Sequence, residues 1–580
     1  MTTQTAFRPP VMGMTHMVSA GHYLAASAGY RILEDGGNAV DAGVASGIVI
    51  NVTLPNATNF GGVAPIMVYM AEKNETKTIS GLGRWPKKTS LDDFNNRLNG
   101  DIPKGIDRTI VPSAPDAWLT ALAEYGTMSL EQILQPALEL TKDGFPISNT
   151  ASSVLKRLAD TVDRTSDEWR STFELFSREG KILEEGEILK QPDLARTFER
   201  LIEVERANKD KGREKAIQAA RDFFYKGDIA KEIIEYSDKL GGNLSLSDLS
   251  DFHVEIEDPT TARYKDYDIL TCGPWSQGPV TAQVLQMLED DDISVIPQNT
   301  ADYIHLLSQA FNLSFSDRHE FYGDPDFVDV PINGLLSKEY TKTQRTRISM
   351  ETAFSEMPDP GNPWAFEDRI GREKLGHPDI NRDRLEQDTS YTCVVDKWGN
   401  SFSATPSDAV FGSPIVPGLG LMISSRGTQS WLDPEHPSSV EPWKRPRLTP
   451  NPAMAFKEGK LFMPFGTPGG DAQCPAMVQT FLNIVEFGMN PQAAIEAPRF
   501  VPWNFPNSFW PHAYHPGLIH LEGRISREVG QNLSSRGHHV EYIDDWSPST
   551  GAMSCIVVDQ DTGALSAGAD PRRDAYAIGR

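Results

Sequence analysis

The sequence predicts a layered α/β sandwich, and three observations support this fold class. Two helices near the amino-terminal end are followed by a pair of strands. A mostly helical region covers residues from about 114 to 238, and the chain beyond residue 388 changes to a β pattern that includes a further helix. Strands that are grouped around helices in this way are typical of helices packed on sheets.

The first helix is predicted within HYLAASAGYRILE, where Leu24 and Ala28 lie on one side. Gly36 and Gly37 signal its C-terminal end, and Asn38 is a good N-cap for the helix that follows. Because small residues dominate this second helix, it can pack closely on a sheet. The stretch GGVAPIMVYMAEKNETKTISGLG then predicts two strands joined by a polar turn.

The middle of the chain divides into a helical part and a polar connection. Apolar residues recur at spacings of three and four in AWLTALAEYG, SLEQILQPALELTKDG and ARTFERLIEVERA. A strand YDILTCG and the helices TAQVLQMLE and TADYIHLLSQAFNLSFSDRHEF form a second α/β segment. Residues 351–388 carry four prolines, many charges and few aliphatic side chains. Such a segment cannot offset its ordering entropy by burial, so we predict a mobile surface linker with a functional purpose.

The last third of the chain is predicted to form strands around one helix. The strands SYTCVVD and SFSAT are joined by the turn KWGN, and LTPNPAMAF and LFMPFG are joined by KEGK. The helix MVQTFLNIVEFG follows, and the chain closes with the hairpin MSCIVVDQDTGALSAGAD. We find no internal repeats and no low-complexity segments.

Composition and charge restrict the partners of the protein. The chain carries 55 Lys and Arg against 80 Asp and Glu, a formal charge of −25, which argues against nucleic acid as a partner. The amino-terminal residues lack the pattern of a signal peptide, and no run of 18 apolar residues occurs, so we predict a cytoplasmic protein without a membrane partner. The cysteines, Cys272, Cys393, Cys474 and Cys555, have no metal-binding spacing and are predicted to be buried thiols.

Several catalytic and cofactor motifs are absent. No Gly-x-Gly-x-x-Gly follows a strand and no phosphate-binding loop motif occurs, so no cofactor is predicted. Ser19 does not form a nucleophile elbow, because Met17 stands where a glycine is needed. His512 and His515 in WPHAYHPG are a weak alternative as metal ligands, since they lack a helical register. We therefore predict no metal.

The stretch QDTSYTCVVDKWGN suggests a nucleophile in the middle of the chain. The acidic linker ends at Asp388, and Thr389 opens a run of strand-forming residues. If the bond between them is cut, Thr389 becomes an amino terminus, whose α-amino group with a pKa of about 7.7–8.0 accepts the hydroxyl proton. One residue then supplies the nucleophile and the base, and the threonine methyl group stiffens the side chain.

Two further features can complete such a site. In FGTPGGDAQ, Gly469 and Gly470 follow a strand and precede a helix, so their N–H groups can form an oxyanion hole. The hairpin return SATPSDAVFGS runs beside the Thr389 strand and brings Ser407 or Asp408 near the nucleophile. Each feature also has a plain structural interpretation, as a linker, a Gly-Gly turn or a Ser-Asp turn, so only their combination predicts chemistry.

At these residues the chain resembles the γ-glutamyltransferase (glutathione hydrolase) family of N-terminal nucleophile hydrolases. The resemblance spans nearly all 580 residues through EDGGNAVDAGVA, TLPNATNFGG, SDRHEFYGDPDFVDVP, DTSYTCVVDKWGN, GTPGG and EAPRF, in family order. It implies an α+β fold, a four-layer αββα sandwich, and a precursor that cleaves itself between Asp388 and Thr389. The products are then a large subunit, residues 1–388, and a small catalytic subunit, residues 389–580, which stay together as a heterodimer.

The resemblance also implies roles for individual residues. Thr389 matches the nucleophile, Gly469 and Gly470 match the oxyanion donors, and Ser407 falls where the family keeps a second hydroxyl that touches the nucleophile.

The positions that bind the γ-glutamyl group in this family carry different residues in this chain. The family holds the α-carboxylate with an arginine and two serines, and the α-amine with an acidic side chain. Here Arg447 and Thr449 in KRPRLTPNP stand where the serine pair is expected, and Gln429 stands near the position of the acid. Arg84 lies near the expected arginine but is displaced along the chain. Asp408 is a candidate to bind an amine.

This pattern is closer to the family branch of cephalosporin-acylase-like and oxamate-amidohydrolase-like proteins. Arg84 and Arg447 suggest a substrate with a carboxylate. We therefore predict an autoprocessed N-terminal threonine amidohydrolase that forms an acyl-enzyme on Thr389 and hydrolyses, or transfers, the acyl group of a small carboxylate-bearing amide. Two alternatives stay open: a true γ-glutamyltransferase, and a non-catalytic, unprocessed binding protein on the same scaffold.

Overall fold

The computed structural model describes residues 6–371, 374–385 and 387–580. The predicted linker and the amino-terminal segment therefore lie partly outside the described residues. Within the described part of the linker, the chain forms a short 3-10 helix, Pro363–Phe366, and Asn381 makes an isolated bridge with Tyr514. None of the helices in the described ranges has the length and apolarity needed to cross a membrane.

The strands are mostly short and are numbered in chain order. They are Val11–Gly13 (β1), Met17–Ala20 (β2), Ile66–Met70 (β3), Glu75–Ile79 (β4), Phe145–Pro146 (β5), Ser177–Arg178 (β6), Lys181–Ile182 (β7), Ile188–Leu189 (β8), Ile256–Glu257 (β9), Thr260–Tyr264 (β10), Tyr267–Thr271 (β11), Thr392–Val395 (β12), Ser401–Ala404 (β13), Ala453–Lys457 (β14), Lys460–Gly466 (β15), Phe500–Pro502 (β16), Leu518–Glu522 (β17), His539–Ile543 (β18), Ser554–Val558 (β19), Leu565–Ala569 (β20) and Tyr576–Gly579 (β21).

The α-helices are numbered in the same way. They are Tyr23–Glu34 (α1), Ala39–Thr53 (α2), Leu91–Asn96 (α3), Ala114–Tyr125 (α4), Leu130–Asp143 (α5), Asn149–Thr161 (α6), Arg170–Phe176 (α7), Pro192–Ala207 (α8), Arg213–Lys226 (α9), Asp228–Lys239 (α10), Leu246–Asp251 (α11), Gly278–Met287 (α12), Ala301–Phe321 (α13), Ile332–Leu335 (α14), Lys338–Arg345 (α15), Gln473–Val485 (α16), Pro491–Glu496 (α17) and Arg527–Ser535 (α18).

Two antiparallel sheets form the centre of the molecule, each with seven strands among the described residues. The first has the order β1-β20-β19-β15-β14-β11-β10, and the second has the order β21-β2-β12-β13-β3-β4-β9. Both sheets mix strands from before and after residue 388. In the second sheet, β2 lies between β21 and β12, so a strand of the amino-terminal part pairs on both sides with strands of the carboxyl-terminal part.

Apolar side chains fill the space where the two sheets meet. Met67 and Cys393 from the second sheet pack with Met454 and Ile556 from the first in one buried cluster. Because side chains alternate along a strand, Val394 points the other way and belongs to a separate cluster with helices α1, α2 and α4. All the cysteines in the described residues are buried free thiols, as the sequence predicts.

Helix α2 shows why the sequence places small residues next to a sheet. All of its residues are buried, and its N-cap Asn38 forms a capping box with Asp41, which confirms the predicted helix start. A Cβ atom at Gly43 would lie 2.1 Å from the ring of Phe402, and one at Gly47 would lie 2.4 Å from Trp118. The helix can therefore approach the second sheet only because these positions lack side chains.

The hairpin of β12 and β13 carries the residues that the sequence analysis singles out. Thr392 pairs with Ala404 in this hairpin, so the residues just before β12 and just after β13 lie side by side. Asp396 closes the turn at the opposite end, where it accepts hydrogen bonds from the Asn400 backbone and side chain. The register therefore brings Thr389 and Ser407 together.

Candidate active site

Thr389 is a buried residue whose polar groups are all held in place. Its hydroxyl Oγ1 lies 2.6 Å from Ser407 Oγ and donates to Asp388 Oδ1 at 3.1 Å. Its backbone N–H donates to the carbonyl oxygen of Ala57 at 3.1 Å, and its own carbonyl oxygen accepts from Arg573 Nη1 at 3.3 Å. The hydroxyl and the backbone nitrogen are therefore both oriented in the uncleaved chain.

The backbone of Thr389 is strained. Its φ angle is +93°, a value that β-branched residues rarely adopt because Cβ crowds the backbone. A conformation of this kind costs of the order of 1–3 kcal/mol and is found at functional sites. The strain lies at the bond for which the sequence predicts cleavage.

Gly469 points its backbone N–H at the carbonyl group that precedes Thr389. This N–H donates to the carbonyl oxygen of Asp388 at 3.2 Å. Gly469 has φ +123° and Gly470 has φ +55°, so both use the left-handed region that favours glycine. An N–H in this position stabilises the negative charge that develops on the oxygen when the carbonyl carbon is attacked.

The side chain of Asp388 forms a buried ion pair next to Thr389. Its Oδ2 accepts from Arg426 Nη2 at 2.5 Å and from the Ala409 N–H at 3.2 Å, and its Oδ1 accepts from Ser407 Oγ at 3.2 Å. Arg426 Nη2 also donates to Ser407 Oγ at 2.5 Å, and its guanidinium carbon lies 5.2 Å from the centre of the Phe509 ring. A carboxylate is thus bound within reach of the Thr389 hydroxyl.

The buried carboxylate of Asp408, which Arg426 attracts, accepts several hydrogen bonds. Its carboxylate accepts from the hydroxyls of Ser424 and Ser425, each at 2.5 Å, and from the Ser425 N–H at 3.0 Å. Burial raises the pKa of Asp408, against the opposing effects of Arg426 and the serine hydroxyls. In the uncleaved chain Asp408 therefore fixes the segment that carries Arg426.

Gln429 and Thr449 contact each other and connect to the glycine loop. Gln429 Nε2 donates to Thr449 Oγ1 at 2.9 Å, and the Thr449 N–H donates to Gln429 Oε1 at 3.3 Å. Gln277 Nε2 donates to the carbonyl oxygens of Thr449 at 2.9 Å and Gly470 at 2.8 Å. Arg426 and Gln429 are the first and last residues of one 3-10 turn, so this network connects the arginine to the loop that contains Gly469 and Gly470.

Arg447 is a buried cation close to the same network. Its Nη1 donates to the backbone oxygen of Arg318 at 3.1 Å, and its guanidinium carbon lies 4.5 Å from the centre of the Trp431 ring. Its Nε and Nη2 have no hydrogen-bond partner among the described residues. Arg447 therefore keeps donors available for an anion.

Arg84 lies in a separate ion cluster. Its guanidinium donates to Glu255 at 2.7 Å, to Asp326 at 2.6 Å and to Asp324 at 3.3 Å, and Arg445 shares Asp324. A substrate carboxylate would have to compete with these three carboxylates for Arg84. The structure thus joins Thr389, Ser407, Asp388 and Gly469 in one site, but not Arg84.

The two histidines that were weak candidates for metal ligands have other partners. His512 turns each ring nitrogen towards a backbone oxygen at 3.0 Å, and burial lowers its pKa to about 3. His515 Nε2 lies 3.0 Å from the backbone oxygen of Asp383. Across residues 6–371, 374–385 and 387–580, no group of three or more His, Cys, Asp or Glu residues is arranged to hold a metal ion.

Sequence reasoning missed Arg426, Gln277 and the side chain of Asp388. Arg426 stands in SSRGTQSW, three residues before Gln429, among uncharged neighbours. A lone cation in an otherwise uncharged, buried segment is a signal for an ion pair or an anion site, because an unpaired buried charge is costly. Gln277 carries no such signal, since its contacts depend on the tertiary fold.

The chain is similar to known proteins along nearly its whole length. The family model described as Gamma-glutamyltranspeptidase matches residues 25–580. The Glutathione hydrolase-like YwrD proenzyme of Bacillus subtilis is 32% identical over 573 residues, which cover 98% of this chain and 99% of that protein. The Acylase ACY 1 proenzyme of a Pseudomonas species is 30% identical over 589 residues, which cover 99% and 95% of the two chains. The crystal structure of a cephalosporin acylase from Bacillus halodurans has a TM-score of 0.85 at 28% identity and covers 99% of this chain and 98% of its own.

Proposed function

The chain belongs to the gamma-glutamyltranspeptidase family of hydrolases that act on amide bonds, and from this premise we propose that it is an autoprocessed amidohydrolase with Thr389 as its nucleophile. It forms an acyl-enzyme on Thr389 and hydrolyses the acyl group of a small carboxylate-bearing amide. One observation carries the proposal: the Gly469 N–H donates, at 3.2 Å between nitrogen and oxygen, to the Asp388 carbonyl group that precedes Thr389.

Maturation follows from these contacts. Thr389 Oγ1 attacks the carbonyl carbon of Asp388, and the Gly469 N–H stabilises the negative charge on the carbonyl oxygen. The C–N bond breaks, the hydroxyl proton ends on the nitrogen, and an ester joins Asp388 to Thr389 Oγ1. Water then hydrolyses the ester, which leaves a carboxylate on Asp388 and a free amine on Thr389. Release of the strained φ of +93° favours the cut.

Catalysis in the mature enzyme reuses the same atoms. The Thr389 amine, which remains near the Ala57 carbonyl, accepts the hydroxyl proton as Oγ1 attacks the substrate amide. Ser407 orients the hydroxyl, and Gly469, together with Gly470, stabilises the oxyanion. The leaving amine takes the proton, and water resolves the acyl ester.

The side chains that we propose to surround the acyl group distinguish between the candidate substrates. Gln429 and Thr449 bond to each other where the family implies an acid and a serine pair, so a γ-glutamyl group lacks its usual partners here. We propose that Arg447, whose Nε and Nη2 have no partner among the described residues, and Asp408, which the serines hold, also line the acyl-binding site. These features favour an acyl group other than γ-glutamyl.

We further propose that residues 1–388 and 389–580 form the two subunits of a four-layer αββα body. The mixed strand order of both sheets and the apolar cluster between them support this arrangement. Helices that pack on the outer faces supply the other two layers, through one cluster for each sheet.

A denaturing gel of the purified protein tests the proposal. We expect two species of about 43 and 21 kDa, scaled by residue number from 64.1 kDa for 580 residues. Thr389→Ala should give a single inactive species of 64.1 kDa, because the nucleophile of both reactions is gone. The control Ser390→Ala, which removes the adjacent hydroxyl, should still mature. A processed Thr389→Ala variant would contradict the proposal, and an uncut wild-type chain would favour a binding protein.

A further inference from the structure

The carboxylate of Asp388 occupies an anion pocket that is built beside the nucleophile. Arg426 Nη2 at 2.5 Å, the Ala409 N–H at 3.2 Å and Ser407 Oγ at 3.2 Å all donate to it. Asp388 is 4% exposed and Arg426 is 1% exposed, so water contributes little to this binding. The pocket therefore recognises a carboxylate through a cation, a backbone N–H and a hydroxyl.

The chemistry of maturation makes Asp388 equivalent to a substrate. The ester that joins the Asp388 carbonyl carbon to Thr389 Oγ1 is the same kind of bond as the acyl-enzyme of catalysis. Asp388 is thus the first acyl group that the site holds. Its carbonyl oxygen accepts from Gly469, and two carbon atoms, Cα and Cβ, separate that carbonyl from the carboxylate on Arg426.

Cleavage changes the state of Arg426. In the described residues its single ion pair is with Asp388, and its Nε has no hydrogen-bond partner. When the new chain end moves out to admit a substrate, Arg426 loses this ion pair and retains only the longer-range attraction of Asp408, which makes no direct ion pair with it among the described residues. Because an unpaired buried charge is strongly unfavourable, the emptied pocket attracts an anionic acyl group.

We propose that the mature enzyme selects acyl groups with a carboxylate two carbon atoms beyond the scissile carbonyl, the succinyl type, and holds that carboxylate on Arg426. This inference rests on the proposed function and adds the substrate class. One methylene more or less displaces the carboxylate by up to about 1.5 Å, the length of a C–C bond. A buried pair at 2.5 Å cannot absorb such a shift without rearrangement.

A series of p-nitroanilide substrates, assayed on the matured wild-type enzyme, tests the proposed number of carbon atoms between the scissile carbonyl and the carboxylate. The acyl groups are malonyl, succinyl, glutaryl and butyryl, the last having the length of succinyl without its carboxylate. We expect kcat/KM for succinyl to exceed that for butyryl by about 30-fold or more, as for a lost partner of a buried charge pair. The malonyl and glutaryl amides should fall between them.

A pair of variants tests the residue. Arg426→Gln should reduce the succinyl-to-butyryl ratio of kcat/KM to within about threefold. Arg221→Gln is the matched control, since Arg221 is also buried and bonds Asp116 at 2.7 Å, but in the helical layer, and it should keep the wild-type ratio. If the Arg426→Gln variant fails to mature, the series of four p-nitroanilides on the wild-type enzyme tests the proposal by itself.

The outcomes separate this inference from the proposed function. A chain that stays uncut overturns both. A cut enzyme that prefers glutaryl or malonyl, that treats butyryl like succinyl, or that cleaves none of the four amides overturns the succinyl assignment but leaves Thr389-dependent maturation intact.

Discussion

The buried pair of Asp388 and Arg426 makes the stability of the uncleaved chain depend on one carboxylate. Asp388→Asn, made in the Thr389→Ala background so that no cut occurs, keeps the shape of the side chain and removes its charge. Breaking a buried pair by removing one partner typically costs about 3–5 kcal/mol. Arg426 keeps its bond to Ser407 at 2.5 Å and the attraction of Asp408, so we expect the lower end, about 3 kcal/mol.

This free energy converts into a measurable melting temperature. An unfolding entropy of about 2.1 cal/mol/K per residue gives about 1.2 kcal/mol/K for a chain of this length, so the loss corresponds to about 2–3 °C. Scanning calorimetry of the single and double variants measures the difference directly.

An exposed ion pair supplies the control for this measurement. Glu184→Gln breaks the pair between Lys156 and Glu184, whose side chains are 46% and 64% exposed. Pairs of this kind contribute about 0–1 kcal/mol, so the Tm should fall by less than about 1 °C. If Asp388→Asn lowers Tm no more than Glu184→Gln, the buried pair does not stabilise the precursor and our interpretation of Arg426 is wrong.

Three other predictions concern maturation, catalysis and stability. Gly469→Ala places a side chain at φ +123°, so the loop must move its N–H away from Asp388, and maturation followed on gels should slow by about 10²–10³; an unchanged rate would exclude this donor. If the Thr389 amine acts as the base, as we propose, kcat/KM should rise with pH through about 7.7–8.0 and then level off, and a flat profile would contradict an amine base. Burial acts to raise the pKa of Asp570, but the stronger combined effect of Arg499 and Arg572 lowers it below the ordinary value. The Asp570 carboxylate therefore stabilises the folded state above about pH 3.9, and this contribution is lost as the pH falls. Asp570→Asn should therefore lower Tm at pH 7, and the difference from wild type should shrink in acid; a difference that is independent of pH would refute the linkage.

The sequence predicts local structure and family well because these depend on short-range patterns. The small residues of α2 predict a helix that packs closely, and Gly43 against Phe402 bears this out. The family resemblance is confirmed by the match over residues 25–580. The hairpin pattern after Thr389 also accounts for the approach of Ser407, since the two positions are linked by the strand register.

Long-range ion pairing could not be predicted in the same way. Arg84 resembles a substrate-binding arginine in the sequence, yet Glu255 and Asp324, which surround it, lie 171 and 240 positions further along the chain. Arg426 pairs with Asp388 across 38 positions, and no periodicity connects them. Which cation meets which carboxylate is decided by the packing of the layers, so it requires the tertiary structure.

The interleaved strand order restricts when the chain can be divided. Strand β2 has β21 on one side and β12 on the other, and both come from beyond residue 388. A fragment that ends at residue 388 would expose both edges of β2 and would be prone to aggregate. For the cleavage that we propose, synthesis and folding of the whole polypeptide must therefore come first, with scission as a late event. Two separately translated halves would reach the active form only by folding around each other.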